Sequence, residues 1–271
     1  MTATGIRPSG QAVPSPAIRA RDLLASEWIK FWSVRSTYWT LLVATVTPVA
    51  LGDLIAFAIA QPSPKGSSGP PPDPLSPAFY SLEYAVLAVI VLGVLQFSSE
   101  YSTGLIHTTF VAVPRRRGVL AAKAVVTGLV TLVAGEVTSF ASFFIDQAVL
   151  HAHDLGVSWS HPGVSGAVAA SGTLLFVCAM LALALGVITR NTAGGIAAAV
   201  ALIALPAIFG LLPRPWGGRI GRFTIIDAAQ QVALQHPRTD MFSPATSMLV
   251  LLAWPAVALV VAAAVITRTE T

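Results

Sequence analysis

The chain has 271 residues, of which 55% are apolar and only 10% are Asp, Glu, Lys or Arg, against roughly 25% charged in an ordinary soluble domain. With a mean hydropathy of +0.74, this composition argues against a soluble enzyme and makes lipid the solvent for most of the chain. The net charge of +4 sits in clusters beside apolar runs, which suits an anionic leaflet better than nucleic acid.

Residues 1–20 contain Pro, Gly and Ser without an apolar core, so they read as a disordered tail rather than a cleavable signal. Residues 21–271 read as one membrane domain. Its first segment is amphipathic: Leu24, Trp28, Phe31 and Trp32 share one helical face, with Ser26, Lys30 and Ser33 away from it. Tyr38 and Trp39 follow, residue types that favour the headgroup level. An interfacial helix is expected there. Six apolar stretches come next, at residues 39–60, 79–97, within 119–150, 165–188, 195–212 and 246–266. A crossing takes about 20 helical residues. The third stretch exceeds that and should tilt or protrude, whereas the fifth is the shortest. Pro48, Pro206 and Pro255 fall inside spans, where a kink is tolerated. The expected fold is therefore an all-α membrane protein of six transmembrane helices preceded by an interfacial amphipathic helix.

An even count puts both termini on one side. With the N-terminus inside, eleven Lys and Arg residues fall inside and five outside. Four of those five share the loop before the last span, against the positive-inside trend, but the clusters beside the first and third spans carry more weight. Residues 61–77 read as a Pro-rich outer linker. In residues 213–243, Phe223, Ile226 and Ala229 recur at helical intervals, which suggests a short helix resting on the outer surface.

Little catalytic chemistry is visible. There is no phosphate-binding G-x-x-x-x-G-K-[ST] loop and no G-x-S-x-G elbow, so no catalytic residue is assigned. If transport is ATP-driven, the ATPase is another polypeptide. Cys178 lies in an apolar run and reads as a core thiol. His151, His153, Asp154 and His161 lack a zinc-type spacing, and no metal is expected. Three carboxylates remain. Asp53, Glu136 and Asp146 sit in otherwise apolar segments, where an Asp at a span's centre costs about 2.5–3.5 kcal/mol on insertion scales, so such residues face a bundle interior or cavity. Asp53 and Glu136 have similar depth and are candidates for a substrate path. Bonding of these acids to Thr47, Ser139 or Ser142 is the structural alternative.

The most distinctive segment is SSEYSTGLIHTTFVAVPRRRGVLAAK, residues 98–123. It runs from Glu100 at a span's end through Leu105, Ile106, Thr109 and Phe110 at helical spacing, turns at Pro114, and enters the next span after Arg115, Arg116 and Arg117. On its own it is a short inner loop whose arginines set topology. EYSTGLIHTTFVAVPRRRGVLAAK nevertheless resembles the cytoplasmic loop of type-2 ABC transporter permeases, particularly small six-span actinobacterial-style members. SEWIKFWSVRSTYWTLL (residues 26–42) resembles the same family's N-terminal helix, and RNTAGGIAAA (residues 190–199) its turn between the fourth and fifth spans. The resemblance implies a multi-pass cell-membrane permease with cytoplasmic termini. It would pair with itself or a paralogous permease and dock separate cytoplasmic ABC ATPase subunits, which use the ATP. It binds no cofactor itself, and lipids are its other partners. By this likeness Glu100, Tyr101, Thr103, Gly104, Leu105, Ile106, Phe110 and Arg115 to Arg117 form the ATPase-coupling loop. Two other classes stay open: an ion-coupled carrier using Asp53 and Glu136, and a membrane-embedded enzyme built on the outer His and Asp residues.

Overall fold

The computed structural model describes residues 19–61, 72–102, 116–213, 216–236 and 238–268, and within them the chain is all-α without strands. The elements are α1 (Ala20–Ser33), α2 (Arg35–Ala60), α3 (Ser76–Ser102), α4 (Arg116–His151), α5 (Val164–Thr189), α6 (Thr192–Ile203), α7 (Leu205–Phe209), α8 (Trp216–Gly221), α9 (Ile225–Ala233) and α10 (Pro244–Arg268). Five of them, α2, α3, α4, α5 and α10, are long and apolar enough to cross a membrane. In hydrocarbon each backbone N–H and C=O must be satisfied within its own segment, so apolar runs of this length form continuous helices. Those helices run on through Pro48 and Pro255. The 36-residue α4 is about 54 Å long, well beyond a hydrocarbon core.

The middle of the bundle is α5, whose membrane-spanning window is 72% buried and which packs on α3, α4, α6, α9 and α10. Small residues let its backbone come close to its neighbours, as membrane helices require when no water is expelled between them. A Cβ at Gly135 on α4 would overlap the carbonyl of Gly172, and one at Gly93 on α3 would overlap the carbonyl of Ala179. The opposite surfaces of α2, α4 and α10 expose Trp39, Leu54, Phe57, Leu129, Val137, Leu249 and Val260, an apolar belt suited to lipid.

Side-chain contacts sort the helix ends into two faces. Lys123 of α4 meets Glu100 of α3 and Glu27 of α1, Thr192 of α6 bonds Ser98 of α3, and Arg117 reaches Thr267 near the end of α10. At the other face, Gln147 of α4 donates to the Pro74 carbonyl and accepts from the Val157 N–H, and Gln235 after α9 donates to His161 before α5. The described N-terminal and C-terminal helices thus share a face, consistent with an even number of crossings.

The fifth apolar stretch does not form one helix. After 12 residues α6 stops at Ala204, and Pro206 opens the five-residue α7, since a proline supplies no N–H to the preceding turn. The chain returns to the opposite face through α7, α8 and α9. A further correction concerns α9, which is not a helix resting on the outer surface. It packs on α10, α5 and α6, with Ile225, Ala228, Ala229 and Ala233 each at most 1% exposed. Its polar groups have partners that make this burial possible: Thr224 caps its N-terminus on Asp227, and Gln231 bonds the carbonyls of Arg238 and Phe242. The expected apolar residue Phe223 lies just before α9 and is 54% exposed.

Candidate functional site

The interfacial face of α1 is as expected in part. Phe31 is buried with Leu92 and Val126, with Leu24 and Trp32 packed on them, while Trp28 stays 44% exposed. Glu27 lies on the packed side of the helix as well, only 4% exposed. A carboxylate there needs a counter-charge, since an unpaired buried ion is very costly.

Lys123 supplies it. Its Nζ donates to Glu27 Oε2 at 2.6 Å and to Glu100 Oε1 at 3.0 Å. Lys30, one turn along α1, donates to Glu27 Oε1 at 2.9 Å and lies 3.4 Å from Glu100 Oε1. Two carboxylates and two ammonium groups therefore cancel within one cluster, contributed by α1, α3 and α4. Lys123, Glu27 and Glu100 have side chains no more than 10% exposed, whereas that of Lys30 is 44% exposed. Burial opposes the Lys30 charge, but the hydrogen bond and charge of Glu27, with Glu100 behind, raise its pKa above the ordinary lysine range.

The same end of α3 carries two further ties. Ser98 Oγ accepts from Thr192 Oγ1 at 2.8 Å, which links it to α6. The Arg190 guanidinium stands 5.9 Å from the centre of the Tyr101 ring, within cation–π range. Arg190 adopts a left-handed backbone (φ 52°) that ends α5, and Asn191 then caps α6 through the Gly194 N–H. Around Ser98, Glu100 and Tyr101 the chain thus joins α1, α4 and the α5–α6 turn to the last turn of α3. Of the remaining coupling-loop candidates, Thr103, Gly104, Leu105, Ile106, Phe110 and Arg115 lie outside the described residues. Arg116 opens α4, and Arg117 Nη2 is 3.5 Å from Thr267 Oγ1. Glu27 is absent from the sequence-based candidates, and Lys123 enters there only as the last residue of the 98–123 segment. The signal was present: an i,i+3 Glu27–Lys30 pair in a Trp-rich helix, and an acid ending one span with a base opening the next.

The acidic residues of the spans occupy different settings. Asp53 lines a groove of about 340 Å³ between α2 and α4 with Thr45, Thr138 and Ala141. Glu136 does not line that groove; it faces α5, where it contacts Gly172 and accepts from Thr173 Oγ1 at 3.4 Å. The structure therefore does not bring Asp53 and Glu136 together. Asp146 is fully buried, and among the described residues neither carboxylate oxygen has a hydrogen-bond partner. It stands over Gly52, where a Cβ would come within 2.9 Å of both oxygens and 3.1 Å of Ser81 Oγ. Ser142, one turn earlier on α4, is also buried without a partner, and Ser139 donates to the Val168 carbonyl instead of to an acid.

At the face opposite the Lys123 cluster, His161 pairs with Gln235 and His236 with Asp73. Among the described residues, no three His, Cys, Asp or Glu side chains converge in a metal-holding arrangement. Cys178 is fully buried in the core of α5. No family model and no curated protein matches the chain.

Proposed function

We propose that this chain is the permease subunit of an ATP-driven ABC-type exporter in the cell membrane, paired with a second permease copy or paralogue. Separate cytoplasmic ATPase subunits bind and hydrolyse the ATP, and the chain itself is no enzyme. The observation that carries this reading is the junction at the end of α3. Residues 103–115, part of the segment that resembles the family's cytoplasmic loop, are bracketed in sequence by α3 and α4. Those two helices are tied together by Lys123–Glu100, to α1 through Glu27, and to α6 through Ser98–Thr192. An ATPase has no purchase on helices sunk in lipid, so its closure has to act through a connection between spans. A push on that segment would reach four helices together and support alternating access, with Leu105, Ile106 and Phe110 as apolar anchors for the ATPase. Arg115, Arg116 and Arg117 would hold the segment at an anionic leaflet, at about 1 kcal/mol per residue near the surface.

Coexpression with an ATPase encoded in a neighbouring reading frame tests the reading. Ile106→Asp and Phe110→Asp should lose the ATPase on purification while remaining in the membrane. Glu100→Ala should keep the ATPase but separate hydrolysis from transport. Parental copurification with both Asp variants would place docking elsewhere. Orientation is checked in a Cys178→Ala background, where a cysteine at Ser158 should label from outside and one at Ser9 only after permeabilisation. The reverse pattern would turn the permease over and remove the ATPase-facing assignment.

A second reading, an ion-coupled carrier, is favoured by one observation: the unpartnered Asp146 beside Gly52, with Asp53 opening on the neighbouring groove. It requires transport that follows an ion gradient and persists without any ATPase.

A further inference from the structure

The groove of about 340 Å³ between α2 and α4 has Val46 and Val49 of α2 and Val137 and Ile145 of α4 as its apolar walls. Val46 and Val137 are 56% and 61% exposed, so the groove opens on the apolar belt that meets lipid. Among the described residues Asp53 is the one ionisable group in its lining, and no Lys, Arg or His shares it. Asp53 lies roughly 10 Å before the end of α2 at Ala60. A carboxylate at that depth is costly unless a cation meets it.

The two hydroxyls in the groove narrow the class. Thr45 Oγ1 donates to the Leu41 and Leu42 carbonyls at 3.0 and 3.1 Å, and Thr138 Oγ1 to the Ala134 carbonyl at 2.7 Å. A hydroxyl has one hydrogen, so each is committed to its own helix and offers the groove only lone pairs. An ionised carboxylate accepts and never donates. The polar side chains of the groove are therefore all acceptors, one of them anionic, set between apolar walls. Their complement is a cation that carries N–H donors on an apolar body. An acyl chain would fill the walls and leave Asp53 unmet, and a hydrated metal ion would have to shed its water at an apolar mouth. We propose that this groove binds a protonated lipophilic amine, with its ammonium on Asp53 and its apolar body between α2 and α4. As the class of cargo this assignment rests on the permease reading, whereas binding at the groove does not.

The full chain in phosphatidylcholine nanodiscs, without any ATPase, is dialysed to equilibrium against naphthylethylamine, naphthylethanol and naphthylacetate, with empty discs as the blank. The three probes share one apolar body and differ in charge. The amine should saturate at one molecule per chain and bind about tenfold more tightly than the alcohol, a 1.4 kcal/mol difference, and the acid should bind most weakly. Asp53→Asn should bring the amine level with the alcohol and leave the alcohol unchanged. Ala141→Leu fills the groove from α4 while keeping Asp53, and should lower the affinity of amine and alcohol alike with an unchanged thermal midpoint. Equal binding of amine and alcohol by the parent overturns the proposal, as does an amine preference that survives Asp53→Asn. Absence of saturable amine binding would mean that ordinary lipid fills the groove, and overturns it too. Because no ATPase is present, each of these outcomes is separate from the copurification that tests the permease reading.

Discussion

The two halves of the bundle handle buried charge in opposite ways. Where α1, α3 and α4 meet, Glu27, Glu100, Lys30 and Lys123 are brought from three helices and neutralise one another within 3.4 Å. In the other half, about 8 Å before the end of α4, Asp146 is wholly enclosed by α2, α3 and its own helix and meets no donor. A cluster that cancels its own charge holds helices in register, because removing any member strands the others. Asp146 has no hydrogen-bond donor among the described residues, so it ties no helices together in this way. The contrast makes the first region a tie between three helices and leaves the second without one.

The largest expected effect is at Lys123. Lys123→Ala leaves Glu27 and Glu100 buried with only the half-exposed Lys30 nearby, a loss of about 3–5 kcal/mol for breaking a buried pair. The thermal midpoint should fall, and α1 should become open to proteolysis at Arg21 and Lys30. An unchanged digestion pattern would show that the cluster does not secure α1.

Gly52→Ala comes next. The new methyl would press within 2.9 Å of both Asp146 oxygens, an overpacking cost of about 1–3 kcal/mol. Asp146→Ala in the same chain should relieve it. Simple additivity in that double-mutant cycle would mean that the two helices are not in contact there. Asp146→Asn alone should be neutral or slightly stabilising, whereas the same replacement of Glu27 should destabilise.

Thr192→Val removes the hydroxyl bonded to Ser98, worth about 1 kcal/mol, and should weaken coupling more than folding. The measurement is hydrolysis rate against transport rate at equal membrane levels. A proportional fall in both would reduce the α3–α6 bond to a packing contact.

Lys30→Gln should have the smallest effect, under about 1 kcal/mol, because the side chain is half-exposed and its ion pairs are screened by solvent. Since its folded pKa is raised, its contribution is complete below the ordinary lysine range and is lost only as pH climbs through the higher folded value. The stability difference from the parent should therefore stay flat from neutral to mildly alkaline pH. A difference that changes near neutrality would implicate another group.

Much of the fold was legible. The helices built from the first, second, third, fourth and sixth apolar stretches begin and end within about five residues of those stretches, because the hydropathy that signals a span is also what forces it to be helical. The Trp-rich face of α1 was equally plain from its spacing. Less legible was the passage from α6 to α9. An 18-residue apolar run containing Pro206 suits either a kinked span or a broken one, and local pattern does not choose. Burial of α9 was hidden for a related reason: its amphipathic pattern reads as interfacial until Arg238, Phe242 and Tyr80 supply partners for its amides.

The site divides along the same line. Glu100 stood out by itself, since an acid closing an apolar run beside a basic loop is conspicuous in one dimension. Its counter-charge Lys123 is 23 positions away, and Glu27 is 96 positions from Lys123. Hydropathy and charge placement by themselves determined a helical membrane protein, its long apolar helices and the amphipathic segment before them, because those follow from the cost of bare peptide groups in hydrocarbon. Which charges meet, and that Asp146 meets none, was decided only by tertiary packing. Glycine contacts such as Gly135 with Gly172 set how closely the helices approach, and a hydrogen bond between side chains exists only once that separation is set.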